Sequence, residues 1–377
     1  MKRHLFILPI LILSMSVVFG QEVIRNTPEG GYLFTIEHNQ GATAVKNQGS
    51  SGTCWSFSTL SFFESELIRK GKGEFDLSEM YIVRHTYPQK AELYVRMHGN
   101  ANFSPGGLFR DVLNVQDQFG LVPESVYSGK TIRPDRHTHI EMDRVLLSMV
   151  ESFTSDNMKG LTPKWKEVIG SVLDVYLGEI PQEFEYKGKP YTPISFAEEL
   201  GLKSEDYIEL SSFTHHPYYQ SFVLEVPDNW DWSRVYNLPL DELEATVDYA
   251  LQNGHTVAWD TDVSEKYFSH GKAVAVVPQE GRTVPQEPGP EKEITPELRQ
   301  KGFDQFSTTD DHLMHIVGMA KDQKGSPYYI VKNSWGQSSN QCGGYVYVSK
   351  PYFRYKTIHV MIHKDALPAD TRQKLGL

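Results

Sequence analysis

The chain has two cysteines, Cys54 and Cys342, and only the first stands among residues that would make a thiol reactive. Cys54 lies in "NQGSSGTCWSF", after small and polar residues and ahead of an aromatic run. A thiol is mostly protonated near neutral pH; a helix N-terminus and an imidazole partner lower its pKa, to roughly 3–4 in the strongest cases. Such a nucleophile also needs a group that fixes the imidazole, and donors for an oxyanion. Two segments more than 250 positions further on supply candidates: "TTDDHLMHIVGMA", with His312 and His315, and "YYIVKNSWGQ", with Asn333. His312 and His315 are three apart, so on a strand they face opposite sides and only one addresses a given cleft.

These residues need elements to position them. From Ser51 the pattern is helical: Trp55, Leu60, Phe63 and Leu67 recur near the 3.6 period, and Gly71-Lys72-Gly73 stops the run. Ser51, Gly52 and Thr53 sit where caps belong, which puts Cys54 in or beside the first turn, where the helix dipole favours negative charge. A second helix is expected over Gly107–Gln118, ended by Gly120. The segments "IEMDRVLLSMVESF" and "PKWKEVIGSVLDVYL" are amphipathic and read as a helical subdomain. After about Tyr191 the chain turns to strands: "SFVLEV", "TVAWD", "AVAVV", "HIVGMA", "YYIVKN", "GYVYVS" and "TIHVMIH". Gly281–Pro296, rich in Pro and Glu, reads as an exposed loop. A helical first half and a sheet-rich second half make an α+β protein of two lobes with a cleft between them.

Residues 1–20 stand apart. Lys2 and Arg3 precede the apolar run Leu5–Leu13, and Val18-Phe19-Gly20 supplies small residues for cleavage, the pattern of a secretory signal peptide. No later stretch approaches 18 apolar residues, so no membrane span is expected and the protein reads as exported, periplasmic or extracellular. The formal net charge of −11 becomes −13 without Lys2 and Arg3. That acidity argues against a nucleic-acid partner, which needs a basic footprint. Two cysteines allow at most one disulfide, and a chain of 377 residues does not need it. Cys342 reads as a small residue before a strand. Weaker patterns are His137, His139 and Glu141 in "HTHIE" and the pair His215-His216, which have metal-ligand chemistry without a convincing full set and read as solvated polar residues. Asn102 in "NFS" fits a glycosylation acceptor.

The blocks "NQGSSGTCWSF", "SPGG", "DDHLMHIVG" and "VKNSWG" resemble, in order, those around the active site of papain-like cysteine peptidases. "DLSEMYIV", "QFGLVPESVY" and "VLDVYLGEIPQEFEYKGKPYTPISFAEEL" resemble the bleomycin hydrolase and aminopeptidase C branch. The resemblance implies a papain-like fold with a helical insertion: 21–130 a helical lobe with the nucleophile helix, 131–190 the insertion, 191–363 a β-rich lobe, and 364–377 a C-terminal arm. It implies Cys54 as nucleophile and Gln48 as a side-chain oxyanion donor beside the Cys54 N–H. The family has a glycine six residues after its histidine, and Gly318 is six after His312, so His312 is the expected imidazole and His315 a structural one. Asn333 would hold the His312 tautomer, with Trp335 covering that bond. Gly106 and Gly107 match the cleft glycines that pair with an extended substrate. The family often has a bridged cysteine where Ser51 stands; here the cap region would rely on packing instead.

The expected activity is peptide hydrolysis by an exported Cys-His-Asn enzyme with no metal or organic cofactor, peptides as substrates and a homo-oligomer as in related enzymes. Gln21–Thr53 leaves no room for a folded inhibitory propeptide. Members of the branch lay a C-terminal arm in the cleft, so Lys364–Leu377 is expected there, making the enzyme an aminopeptidase; a short surface helix over "PADTRQKL" is the other reading of that segment. The alternatives are an endopeptidase of the same fold, an acyl transferase passing the thioester to an amine, and a catalytically silent peptide-binding protein.

Overall fold

The structure, a computed structural model, describes residues 22–155, 160–279 and 285–377. The expected signal segment 1–20 and part of the Gly281–Pro296 loop lie outside them.

Two N-terminal strands, β1 (Val23–Arg25) and β2 (Leu33–Asn39), open the chain. Five helices follow: α1 (Cys54–Arg69), α2 (Glu79–Arg96), α3 (Phe109–Phe119), α4 (Ile140–Phe153) and α5 (Lys164–Leu177). A small hairpin of β3 (Phe184–Tyr186) and β4 (Lys189–Tyr191) leads to α6 (Pro193–Leu200), whose N-cap Thr192 accepts from the Ser195 N–H. The second half holds β5 (Tyr207–Ser211), β6 (Ser221–Val223), β7 (Arg234–Asn237), α7 (Leu240–Gln252), β8 (Val257–Thr261), β9 (Phe268–Ser269), β10 (Val274–Ala275) and α8 (Pro296–Asp304). It closes with β11 (His312–Lys321), β12 (Pro327–Lys332), β13 (Tyr345–Ser349), α9 (Lys350–Lys356), β14 (Thr357–His363) and α10 (Ala369–Leu375). This is the expected α+β architecture.

Among the described residues the main sheet runs β6-β7-β5-β14-β8-β11-β12-β13-β10-β9, with β1 and β2 joining at β11. One edge of β11 is shared: β8 pairs with His312–Ile316 and β2 with Gly318–Lys321. Gly318 is required there, because a Cβ would lie 2.2 Å from the His38 carbonyl oxygen.

Side chains alternate across this sheet, and the two faces bury different helices. Leu313, Ala258 and Met361 join the core of α1, α2 and α3. Met314, Ile316, Trp259, Val360 and Ile362 join the opposite core, with Leu243, Val247 and Leu251 of α7. Helix α1 is buried from Cys54 through Leu67, so it is the central helix of its lobe rather than a surface one. The α4–α5 pair buries Met142, Leu146 and Val150 with Ile169, Leu173 and Leu177 in that same core, and Arg84 of α2 pairs with Asp174 at 2.6 Å. The helical subdomain is packed directly onto the helical lobe. The described part of the loop, 285–296, is mostly exposed and is tied down at Glu291, which accepts from the Val277 N–H at 2.6 Å and from Ser349 Oγ at 2.6 Å.

Candidate functional site

Cys54 is the first residue of α1. Thr53 occupies the N-cap position, yet its hydroxyl pairs with Ser51 Oγ at 2.6 Å and makes no capping bond, so the expected side-chain cap does not form. The loop is held by hydrogen bonds where a family disulfide would stand: Ser51 Oγ donates to Gln48 O at 2.7 Å, and Gln48 Nε2 donates to Ser51 O at 2.9 Å. Gly52 packs on Pro105, and Trp55 Nε1 donates to Pro105 O at 3.1 Å, tying the helix start to the "SPGG" turn. From the other side, Ser50 N donates to His137 O and His139 N to Ser50 O, both at 3.0 Å. His137 and His139 are therefore not solvated; both are buried, which pushes their imidazoles down to about 3 and about 4 and keeps them neutral.

His312, Asn333 and Trp335 meet at the end of β11. His312 Nε2 lies 2.8 Å from Asn333 Oδ1, and the Trp335 ring packs on His312 with centroids 4.9 Å apart. The proton positions follow from the network. Asn333 Oδ1 also accepts from the Ser334 N–H at 2.7 Å, so it is an acceptor and His312 Nε2 carries the proton. Asn333 Nδ2 then donates to His270 Nδ1 at 3.1 Å, and His270 Nε2 donates to Ser339 Oγ at 2.7 Å, whose own proton goes to Gly336 O at 2.5 Å. The lone pair of His312 is thereby left on Nδ1. Sequence reading missed His270; nothing near it repeats a motif, and only its place beside Trp335, at 4.6 Å, marks it.

Gln48 reaches this group across the cleft. Its backbone N–H donates to Ser334 O at 2.8 Å, and its side-chain oxygen accepts from Ser334 Oγ at 2.6 Å. His315 faces α1 instead, with Nδ1 2.9 Å from Ser61 Oγ and its ring against Phe62; burial holds it neutral. Burial pushes Cys54 up to about 12, and the negative fields of Asp310, Asp260 and Asp228 add to this, while a hydrogen bond from the Leu313 backbone opposes it. Burial pulls His312 down to about 4 against its bond to Asn333.

Gly107 packs on the Trp55 indole, where a Cβ would lie 3.0 Å from ring carbons. Gly106 faces the Asp228 carboxylate so closely that a Cβ would be 1.8 Å from Oδ2. Asp228 is fixed by Asn102 Nδ2 at 3.0 Å and Ser104 Oγ at 2.8 Å, so the Asn102 amide ties down a loop.

The expected C-terminal arm is not in the cleft. Its residues fold as α10, bury Leu375 in the α7 core, and bond Thr371 Oγ1 to Glu242 at 2.8 Å. That core lies on the sheet face opposite α1. The short helix wins because it satisfies its own backbone and buries Leu375, which an extended arm would leave exposed. Both cysteines are free. His215, His216 and Glu225 bring ligand atoms within 4.8 Å of one another. Gln300 Nε2 lies 2.9 Å from His215 Nδ1 while its oxygen accepts from the Thr214 N–H at 2.7 Å, so the His215 proton sits on Nε2 and points at Glu225. No helix among the described residues is long and apolar enough to cross a membrane.

Comparison with known proteins places the chain in a family. The model of the Peptidase C1-like family matches residues 90–376, and that of the papain family cysteine proteases matches 35–140. Aminopeptidase G of Lactobacillus delbrueckii subsp. lactis is 24% identical over 374 residues, spanning 88% of this chain and 83% of its own. Bleomycin hydrolase of Rattus norvegicus is 22% identical over 401 residues, spanning 92% and 86%. The crystal structure of PepW from Lactobacillus rhamnosis HN001 superposes with a TM-score of 0.70 at 19% identity, over 91% of this chain and 84% of that one, which shows the shared fold. The chain belongs to the Peptidase C1-like family and is a papain-like cysteine peptidase of the bleomycin hydrolase branch.

Proposed function

We propose that the protein is an exported aminopeptidase that works through Cys54, His312 and Asn333. The observation that carries the chemistry is the His312–Asn333 bond of 2.8 Å with its polarity fixed by Ser334, which leaves Nδ1 of His312 as a base for the thiol. The proton of Cys54 moves to His312 as the sulfur attacks the scissile carbonyl carbon. The Cys54 backbone N–H and one N–H of Gln48 receive the developing oxyanion, and His312 returns its proton to the departing amine. Water, deprotonated by the same ring, then hydrolyses the thioester.

Trimming from the N-terminus is supported by the names of related proteins, aminopeptidases G and E, and by Asp228, whose carboxylate occupies the Gly106 face of the groove. Export rests on Lys2, Arg3 and the apolar run Leu5–Leu13. The test incubates the protein and Cys54→Ala with free and N-acetylated peptides and identifies products by mass spectrometry. Stepwise loss of single N-terminal residues from the free peptides alone is the expected result. Internal cuts in acetylated peptides, or amide products with added amines, would replace this reading by an endopeptidase or a transferase. N-terminal sequencing of secreted protein tests the export.

A further inference from the structure

Three carboxylates from separate segments lie close enough to the Cys54 thiol to raise its pKa. Asp260 lies on β8, opposite Leu313, whose backbone bonds the Cys54 sulfur. Asp310 stands two residues before His312, and Asp228 reaches in from the loop that covers Gly106. Asp260 is fully buried; one oxygen takes a 2.9 Å bond from His359 Nδ1, and its carboxyl shares a hydrogen bond with that of Asp310. Both oxygens of Asp310 are buried and take no bond from an N–H or hydroxyl donor among the described residues; its partners are acids, a hydrogen bond to Asp260 and the nearby charge of Asp228.

The surrounding cations do not balance the group. His359 offsets Asp260 and also reaches Glu209 at 3.4 Å, while Glu209 is paired with Arg110 at 2.9 Å. Lys90 donates to the Gly106 carbonyl at 2.6 Å and is shared among Asp111, Asp228 and Asp143 as well as Asp310. Burial and the charge of Asp228 raise the Asp260 and Asp310 carboxyls, an opposition to ionisation that a cation placed between them would relieve.

Two buried carboxyls whose only common partner is each other are costly to ionise, and a site that holds them beside a third acid is built to receive positive charge. The position specifies which charge. In a substrate whose first peptide bond is cut, the α-nitrogen is only about 2.5 Å from the attacked carbon, so it must lie beside the Cys54 sulfur. A primary ammonium brings three N–H donors, enough to reach acids on both sides of the groove. Asp228 meanwhile blocks the Gly106 backbone, where a longer N-terminal extension would pair.

Resting on the aminopeptidase reading, we propose that Asp228 and Asp310, backed by Asp260, form the receptor for the α-ammonium group of the substrate. The receptor replaces a chain terminus in the cleft as the device that restricts cutting to the first residue. It determines specificity and takes no part in proton transfer.

The experiment compares aminoacyl-4-nitroanilides with their N-acetyl and 2-hydroxyacyl counterparts and with acetyl-arginyl-leucyl-4-nitroanilide, on wild type, Asp228→Asn and Asp310→Asn. Wild type should prefer the free amine over both neutral counterparts by about 100-fold or more. Each variant should lose about 10- to 100-fold in kcat/KM on the free amine and none on the acetylated substrate. Iodoacetamide labelling of Cys54 reports that each variant has kept its site, and the 2-hydroxyacyl comparison needs no variant. If both variants keep the wild-type preference for the amine, the receptor assignment is wrong while the aminopeptidase reading stands. If wild type cuts acetylated substrates equally well, both fall. Preferred cleavage of the acetyl-arginyl substrate, lost in Asp310→Asn, would instead make the recess a pocket for basic side chains and overturn the proposal.

Discussion

Replacing Gln48 by alanine removes the side-chain N–H that the proposed mechanism assigns to the oxyanion. The amide is held at both ends: its oxygen accepts from Ser334 Oγ at 2.6 Å, and one of its two N–H groups goes to Ser51 O at 2.9 Å. The second N–H is the one left for an oxyanion. Loss of one such donor lowers kcat about 10²–10³-fold, because the interaction strengthens only as charge develops on the oxygen. KM should therefore change by less than about threefold. Ser334→Ala tests the same geometry more gently. It keeps the amide but frees its oxygen, and one neutral hydrogen bond of about 1 kcal/mol predicts a loss of about fivefold in kcat. The assay is steady-state hydrolysis of an aminoacyl-4-nitroanilide, with active enzyme counted by stoichiometric alkylation of Cys54. Thermal unfolding of each variant checks that the 46–51 loop still docks on Ser334. A Gln48→Ala enzyme with kcat within about threefold of wild type, or with a loss confined to KM, would refute the oxyanion role.

Three further outcomes follow from the geometry. Folded His312→Ala should lose nearly all turnover and label Cys54 slowly, whereas His315→Asn, which can still pair with Ser61, should keep kcat within about threefold; the reverse would exchange their roles. Truncation after Pro368 removes α10 and the buried Leu375, so it should cost on the order of 2 kcal/mol in a urea titration and leave the preference for free N-termini intact; new cleavage of acetylated peptides would place the tail in the groove. His359 is held protonated by Asp260 and Glu209, which overcome its burial and raise it to about 9. Its folded value lies above the unfolded value near 6.5, so its contribution is complete below that pH and is lost as pH rises through about 9. The loss is on the order of 3 kcal/mol and should be missing in His359→Gln.

The helix that carries the thiol was legible in the sequence because its apolar period and its Gly stop are local, and α4 and α5 were legible for the same reason. Helix α2 escaped notice: Pro88 sits inside it and its face is mixed, yet packing between α1 and α5 keeps it helical. Strand β2 was missed because its local partner β1 is three residues long and its place in the main sheet is set by β11, about 280 residues away, which periodicity does not name.

The site divides the same way. Cys54, His312, Asn333 and Gln48, the residues of the proposed mechanism, were named from short motifs, since a nucleophile, a base and their supports need particular residue types in fixed local contexts. Nothing local marks Asp228, Asp260, Asp310, Glu209, His270 or His359. Acids in a sequence read as solvated, and whether they are depends on what the rest of the chain places over them. The tail shows this most plainly. Its length permitted the cleft, and its residues permitted a helix; only the tertiary structure, by offering Leu375 a core and Thr371 a partner on the far face of the sheet, decided between them. Sequence determined which groups could react. Tertiary packing decided which charges surround them, because burial and long-range pairing depend on segments that the local sequence does not specify.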